Sequence, residues 1–144
     1  MKYSSRTALG VVVVTIAVFA QDAFSAEQAS LPQPEHAGNV TYLSGGIGSD
    51  QSTAIKQQMG KYPLVLEFAG HTSGGNDYLA DVPVKIVDAH GKTVLSMLTT
   101  GPFLLVSTPD GRYTVTATYN GQAMRRSVEV RESSHAHSVF VWTM

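Results

Sequence analysis

Apolar and polar side chains alternate along most of the chain from residue 62 onward. Leu64, Leu66 and Phe68 alternate with Val65 and Glu67, and Val82, Val84 and Ile86 are interleaved by Pro83 and Lys85. The clearest case is Tyr113, Val115, Ala117 and Tyr119, which take turns with Thr114, Thr116 and Thr118. A two-residue period marks a strand with one buried face, because successive side chains point to opposite sides. Residues 92–98, 103–107, 122–131 and 137–143 are rich in β-branched and aromatic side chains and predict further strands. The connectors suit tight turns: Asp88-Ala89-His90-Gly91, Pro109-Asp110-Gly111 and Asn120-Gly121, the last a strong two-residue hairpin signal. Seven strands joined this closely predict an all-β fold, a seven-stranded antiparallel sandwich over residues 62–144.

Upstream, the pattern is different. Residues 40–43 form a short apolar stretch that predicts a strand, followed by Ser44-Gly45-Gly46-Ile47-Gly48 and one short helix over 50–59. Asp50 suits the helix N-cap and Gly60 its stop, with Ala54, Ile55 and Met59 on one face. Residues 26–39, with Pro32, Pro34 and Gly38 and no periodicity, read as a flexible leader. Residues 70–80 run His71, Thr72, Ser73, Gly74, Gly75, Asn76, Asp77 and Tyr78, and read as a mobile surface loop suited to recognition.

The first 25 residues have a basic start (Lys2, Arg6), an apolar run over 8–20 and a small-residue exit around Ala23, Ser25 and Ala26. That order is a secretory signal, with cleavage expected near Ser25/Ala26. Gln21 and Asp22 end the apolar run short of the roughly 20 residues a membrane span needs. The expected location is therefore the periplasm or the exterior, with no transmembrane anchor once the signal is removed. The chain has no cysteine, so no disulfide supports the fold, and its net charge of −1 offers nothing to nucleic acid.

Candidate chemistry is sparse. His135 and His137 flank Ala136, so on one strand they share a face and could begin a metal site, with His36, His71 or His90 as a third ligand. The loop residues His71, Ser73 and Asp77 could in principle serve a small hydrolase, although the Gly-x-Ser-x-Gly spacing is absent. Gly45, Gly46 and Gly48 match neither the dinucleotide nor the P-loop spacing and read as a strand-to-helix turn. Arg125 and Arg126 must point to opposite faces of a regular strand, which places one of them near the core, at a bulge or at an edge.

The run Val82-Pro83-Val84-Lys85-Ile86-Val87-Asp88-Ala89-His90-Gly91-Lys92-Thr93-Val94, with Pro109-Asp110-Gly111-Arg112-Tyr113-Thr114-Val115-Thr116-Ala117 after it, resembles the carboxypeptidase regulatory-like domain. The resemblance implies a prealbumin-like (transthyretin-like) sandwich over residues 62–142. The glycine turn and helix before it look like stand-alone exported bacterial members of that group. The zinc chemistry of such carboxypeptidases belongs to a separate domain. The related hydroxyisourate hydrolases end in Tyr-Arg-Gly-Ser, where this chain ends Val141-Trp142-Thr143-Met144. The expected function is a non-catalytic exported binding or interaction module of the bacterial cell envelope, without a cofactor. Its expected partner is an envelope protein or a small extracytoplasmic ligand. The alternatives are a periplasmic metal-binding protein using His135 and His137, and a hydrolase using the 70–80 loop.

Overall fold

The computed structural model describes residues 31–144; the secretory signal and the first part of the expected leader lie outside them. Within them ten strands, one α-helix and, directly after it, a single 3₁₀ turn (Met59–Lys61) follow in order. They are β1 (Glu35–Ala37), β2 (Val40–Gly45), helix α1 (Ser49–Gln58), β3 (Leu64–Thr72), β4 (Gly75–Tyr78), β5 (Pro83–Asp88), β6 (Thr93–Leu98), β7 (Phe103–Ser107), β8 (Gly111–Tyr119), β9 (Gln122–Val130) and β10 (Ala136–Thr143). One sheet has the order β1-β2-β7-β3-β10, with β4 pairing the far half of β3; the other has the order β6-β5-β8-β9. The fold is mostly β, in two sheets, as the alternation predicts.

Two features of the expected architecture are corrected. There are ten strands rather than seven, and the larger sheet is mixed: β10 runs parallel to β3 over eight residue pairs, from Ala136↔Leu64 to Thr143↔His71. Strand direction leaves no trace in a period-two pattern, because burial alternates identically whichever way the neighbour runs. β2 is the strand expected over 40–43, upstream of the seven; the strands not expected are β1 in the leader and β4 in the expected loop. β1 occupies the end of the expected leader, where Tyr42 donates to Glu35 Oε2 at 2.6 Å and His36 Nδ1 meets Thr41 Oγ1 at 3.0 Å across the hairpin. The expected helix cap also moves: Gly48 takes that place, and Asp50 sits in the first turn, where its charge suits the helix dipole. Gln51 Oε1 accepts the amides of Gly46 and Ile47 and secures the entry.

The main core lies between the sheets. Leu64, Leu66 and Phe68 of β3 and Phe140 and Trp142 of β10 meet Val84, Ile86, Val115, Ala117 and Val130 of the facing sheet. A second, smaller core lies on the other side of the larger sheet. There Ile55 of α1 packs on Leu43, Val65, Phe103 and Leu105. The helix connects β2 to β3, which are parallel because both run antiparallel to the β7 between them. It therefore crosses three strands and covers all of them. That explains why Val65 is buried and why Phe103, Leu104, Leu105 and Val106 are buried without alternation: this part of the sheet is covered on both faces.

Candidate functional site

Among the described residues five strands have an open side, and four carry obstacles to further pairing. β4 is four residues long and includes Asp77. β1 is three residues long and includes Glu35. β9 carries Arg125, Arg126 and Glu129. The pairing of β6 with β5 is broken by a register shift between Ile86 and Val87. Short length, charge and bulges are the usual means by which sheet edges resist pairing with other chains. β10 has none of them: it is eight residues long, Ala-His-Ser-Val-Phe-Val-Trp-Thr, with no Asp, Glu, Lys, Arg or Pro and no shift in its register with β3.

The backbone direction of β10 follows from its ends. The Ala136 amide donates to Pro63 O at 2.9 Å and the Met144 amide to His71 O at 2.8 Å. In a parallel ladder a residue's N–H and C=O point to the same side and the side alternates. Residues 136, 138, 140 and 142 therefore bond to β3. His137, Val139, Val141 and Thr143 turn their N–H and C=O groups away from it, toward the open edge. On the inner side the seam with β9 is closed by side chains. The Arg126 guanidinium lies 5.1 Å from the Phe140 ring centroid, and the Trp142 indole N–H donates to Gln122 O at 2.9 Å. Arg126 is thus the inward-facing arginine of its pair, held at an edge, and Arg125 is the outward one.

The histidines named from the sequence go to separate partners. His137 Nε2 lies 3.1 Å from Glu67 Oε2 on the outer face of the larger sheet, whereas His135 Nδ1 meets Tyr62 O at 3.0 Å just before β10 begins. Among the described residues no three His, Cys, Asp or Glu side chains gather as a metal would require. Burial raises the pKa of Tyr62 above its ordinary value.

The expected 70–80 loop is a hairpin, which corrects that reading. β3 continues through Thr72, Ser73 and Gly74 make the turn, and β4 returns. Thr72 Oγ1 donates to Gly75 O and accepts the Gly74 amide, while Gly75 takes a φ of 122°. Of the small polar residues that suggested an irregular loop, Thr72 and Asn76 are engaged in bonds within the hairpin. His71 faces Asn76, with its Nδ1 2.7 Å from Asn76 Oδ1, and Tyr78 stands beside Ala69 on the same outer face. Asp77 pairs with Gly70 and points to the opposite face, so His71, Ser73 and Asp77 do not converge. Tyr78 packs on Phe103 at 5.3 Å between ring centroids, with Lys56 Nζ of the helix 6.0 Å from its ring.

The uncovered part of the outer face therefore runs from the His137–Glu67 pair past Val139, 39% exposed, to Tyr78, 54% exposed. Sequence reasoning missed Glu67, Val139 and Lys56. Glu67 was the detectable one, as the single charge inside an otherwise apolar strand. The surface has hydrogen-bonding backbone, apolar side chains and one carboxylate–imidazole pair, which equips it to hold an extended chain. No protein-family model matches this chain, and no curated protein matches it significantly.

Proposed function

We propose that the chain is a non-catalytic, exported binding module of the bacterial cell envelope that takes up an extended segment of a partner protein along β10. The observation that carries the reading is the unobstructed edge. Four residues, exposed Val139 among them, offer outward N–H and C=O groups, while the other four edges are short, charged or broken in register. Strand addition draws affinity from main-chain bonds and specificity from alternate side chains. The segment suited to this edge carries apolar or β-branched residues at every second position, to lie beside Val139 and Val141. The export half of the proposal rests on the signal pattern of residues 1–25, and the envelope half on the resemblance to exported regulatory-like domains. The non-catalytic reading is supported by the separation of His71, Ser73 and Asp77 and by the binding of His135 to a backbone carbonyl.

Val139→Pro tests the proposal, because proline removes an outward donor while leaving the β3 ladder intact. Partners are captured from envelope extract with the mature protein, and amide exchange is read in the complex. The expected result is slowed exchange at Val139 and Val141 on binding, with capture weakened about tenfold or more by the substitution and an unchanged circular-dichroism spectrum. A bound partner that leaves β10 exchange unaltered would end the reading.

A further inference from the structure

Apart from the β10 edge, the structure holds a cleft of about 570 Å³ where the β1–β2, β5–β6 and β7–β8 turns meet. That volume is in the range of small-molecule sites, roughly 300–1,000 Å³. Val40, Val94 and the Tyr113 ring supply apolar lining, and both acids and bases stand around the opening.

The two acids are engaged by backbone. Asp88 Oδ1 accepts the amides of His90 and Lys92, each at 2.9 Å, and Asp110 Oδ1 accepts the Glu132 amide at 2.8 Å. The Lys92 amide above all holds the Asp88 carboxyl below its ordinary pKa. The bases act on acids only at a distance, Lys92 on Asp88 and Arg112 on Glu129. Among the described residues neither Lys92 nor Arg112 makes an ion pair. Glu129, the cross-strand neighbour of Arg112, is taken by Arg131. The cleft thus combines two cations that make no contact ion pair with an apolar patch of Val40, Val94 and Tyr113 in an otherwise mixed lining, an arrangement complementary to a carboxylate attached to an apolar body.

We propose that this cleft binds a small organic acid, with Lys92 and Arg112 holding the carboxylate and Tyr113, Val40 and Val94 receiving the apolar part. Benzoate serves as the probe, with inorganic phosphate and benzyl alcohol as comparisons, each titrated into the isotope-labelled mature protein and followed by amide chemical shifts. The expected result is saturable movement at residues 90–94 and 108–113 with benzoate, at least tenfold weaker with either comparison. The paired substitutions Lys92→Gln and Arg112→Gln, both at exposed positions, are expected to abolish it while the rest of the spectrum stays unchanged. Absence of saturable shifts with benzoate, equal response to phosphate or benzyl alcohol, or benzoate binding that survives the paired substitution would each overturn the assignment.

Discussion

Tyr113 shows how one side chain fixes a turn. Its hydroxyl donates to Pro109 O, four residues back, at 2.6 Å and accepts from buried Thr108 Oγ1 at 3.1 Å. This corner locks the β7–β8 connection to the strand that follows. Tyr113→Phe strands the Thr108 hydroxyl and is expected to destabilise the protein by about 1–3 kcal/mol, measured as a lower urea midpoint at unchanged slope. Gly101 acts through its lack of a side chain. A Cβ there would lie 2.3 Å from the Gly45 carbonyl, and backbone has no rotamer by which to move aside. Gly101→Ala is accordingly expected to cost about 3 kcal/mol, the upper end for overpacking, by the same assay. Two exposed carboxylates set an acid dependence: the Lys92 amide lowers the pKa of Asp88, and Arg131 lowers that of Glu129. Groups whose folded pKa is depressed stabilise above the unfolded value and lose that contribution as pH falls through the folded one. Stability is therefore expected to decline on acidification below the ordinary carboxylate range, and less steeply in Asp88→Ala, as read from urea midpoints across a pH series.

Helix α1 is short and weakly amphipathic, and packing holds it in place rather than propensity. Ile55 is its one fully buried residue, set against three strands. Ile55→Ala is expected to destabilise by about 2–5 kcal/mol, with loss of helical ellipticity at lower denaturant than the β signal if the helix releases first. At this scale the sequence was informative wherever one face alone was buried. β5 and β8 alternate as read, and the Asn120-Gly121 hairpin is present with both residues at positive φ. It misled where local chemistry resembled disorder, as in the β3–β4 hairpin, whose glycines and hydroxyls make a turn only two residues long. It was silent on which of the two arginines turns inward: Arg126 shares the face of Val128 and Val130, and its guanidinium finds the Phe140 ring of β10, a pairing that only the packed strands define. The candidate edge was illegible for the same reason, since an edge is defined by which neighbour is missing.

Across the whole molecule, two cores share one sheet, and that sheet joins the beginning and end of the described chain. With no cysteine, the folded state has no covalent cross-link to lose. Its thermal midpoint is expected to be the same with and without a thiol reductant, checked by calorimetry; a reductant-dependent shift would contradict this. His137 and Glu67, which touch across the β3–β10 pair, are 70 residues apart in sequence. Such distant pairings close long loops before they gain any contact, which slows folding.

The parallel placement of β10 therefore has a consequence for biogenesis. One side of β3 stays unpaired until a strand some 70 residues further along has been made, so a growing chain carries an incomplete scaffold over that interval. Until that strand arrives β3 is held from one side only, by β7 and β4, and its other side offers a bare ladder to whatever meets it first.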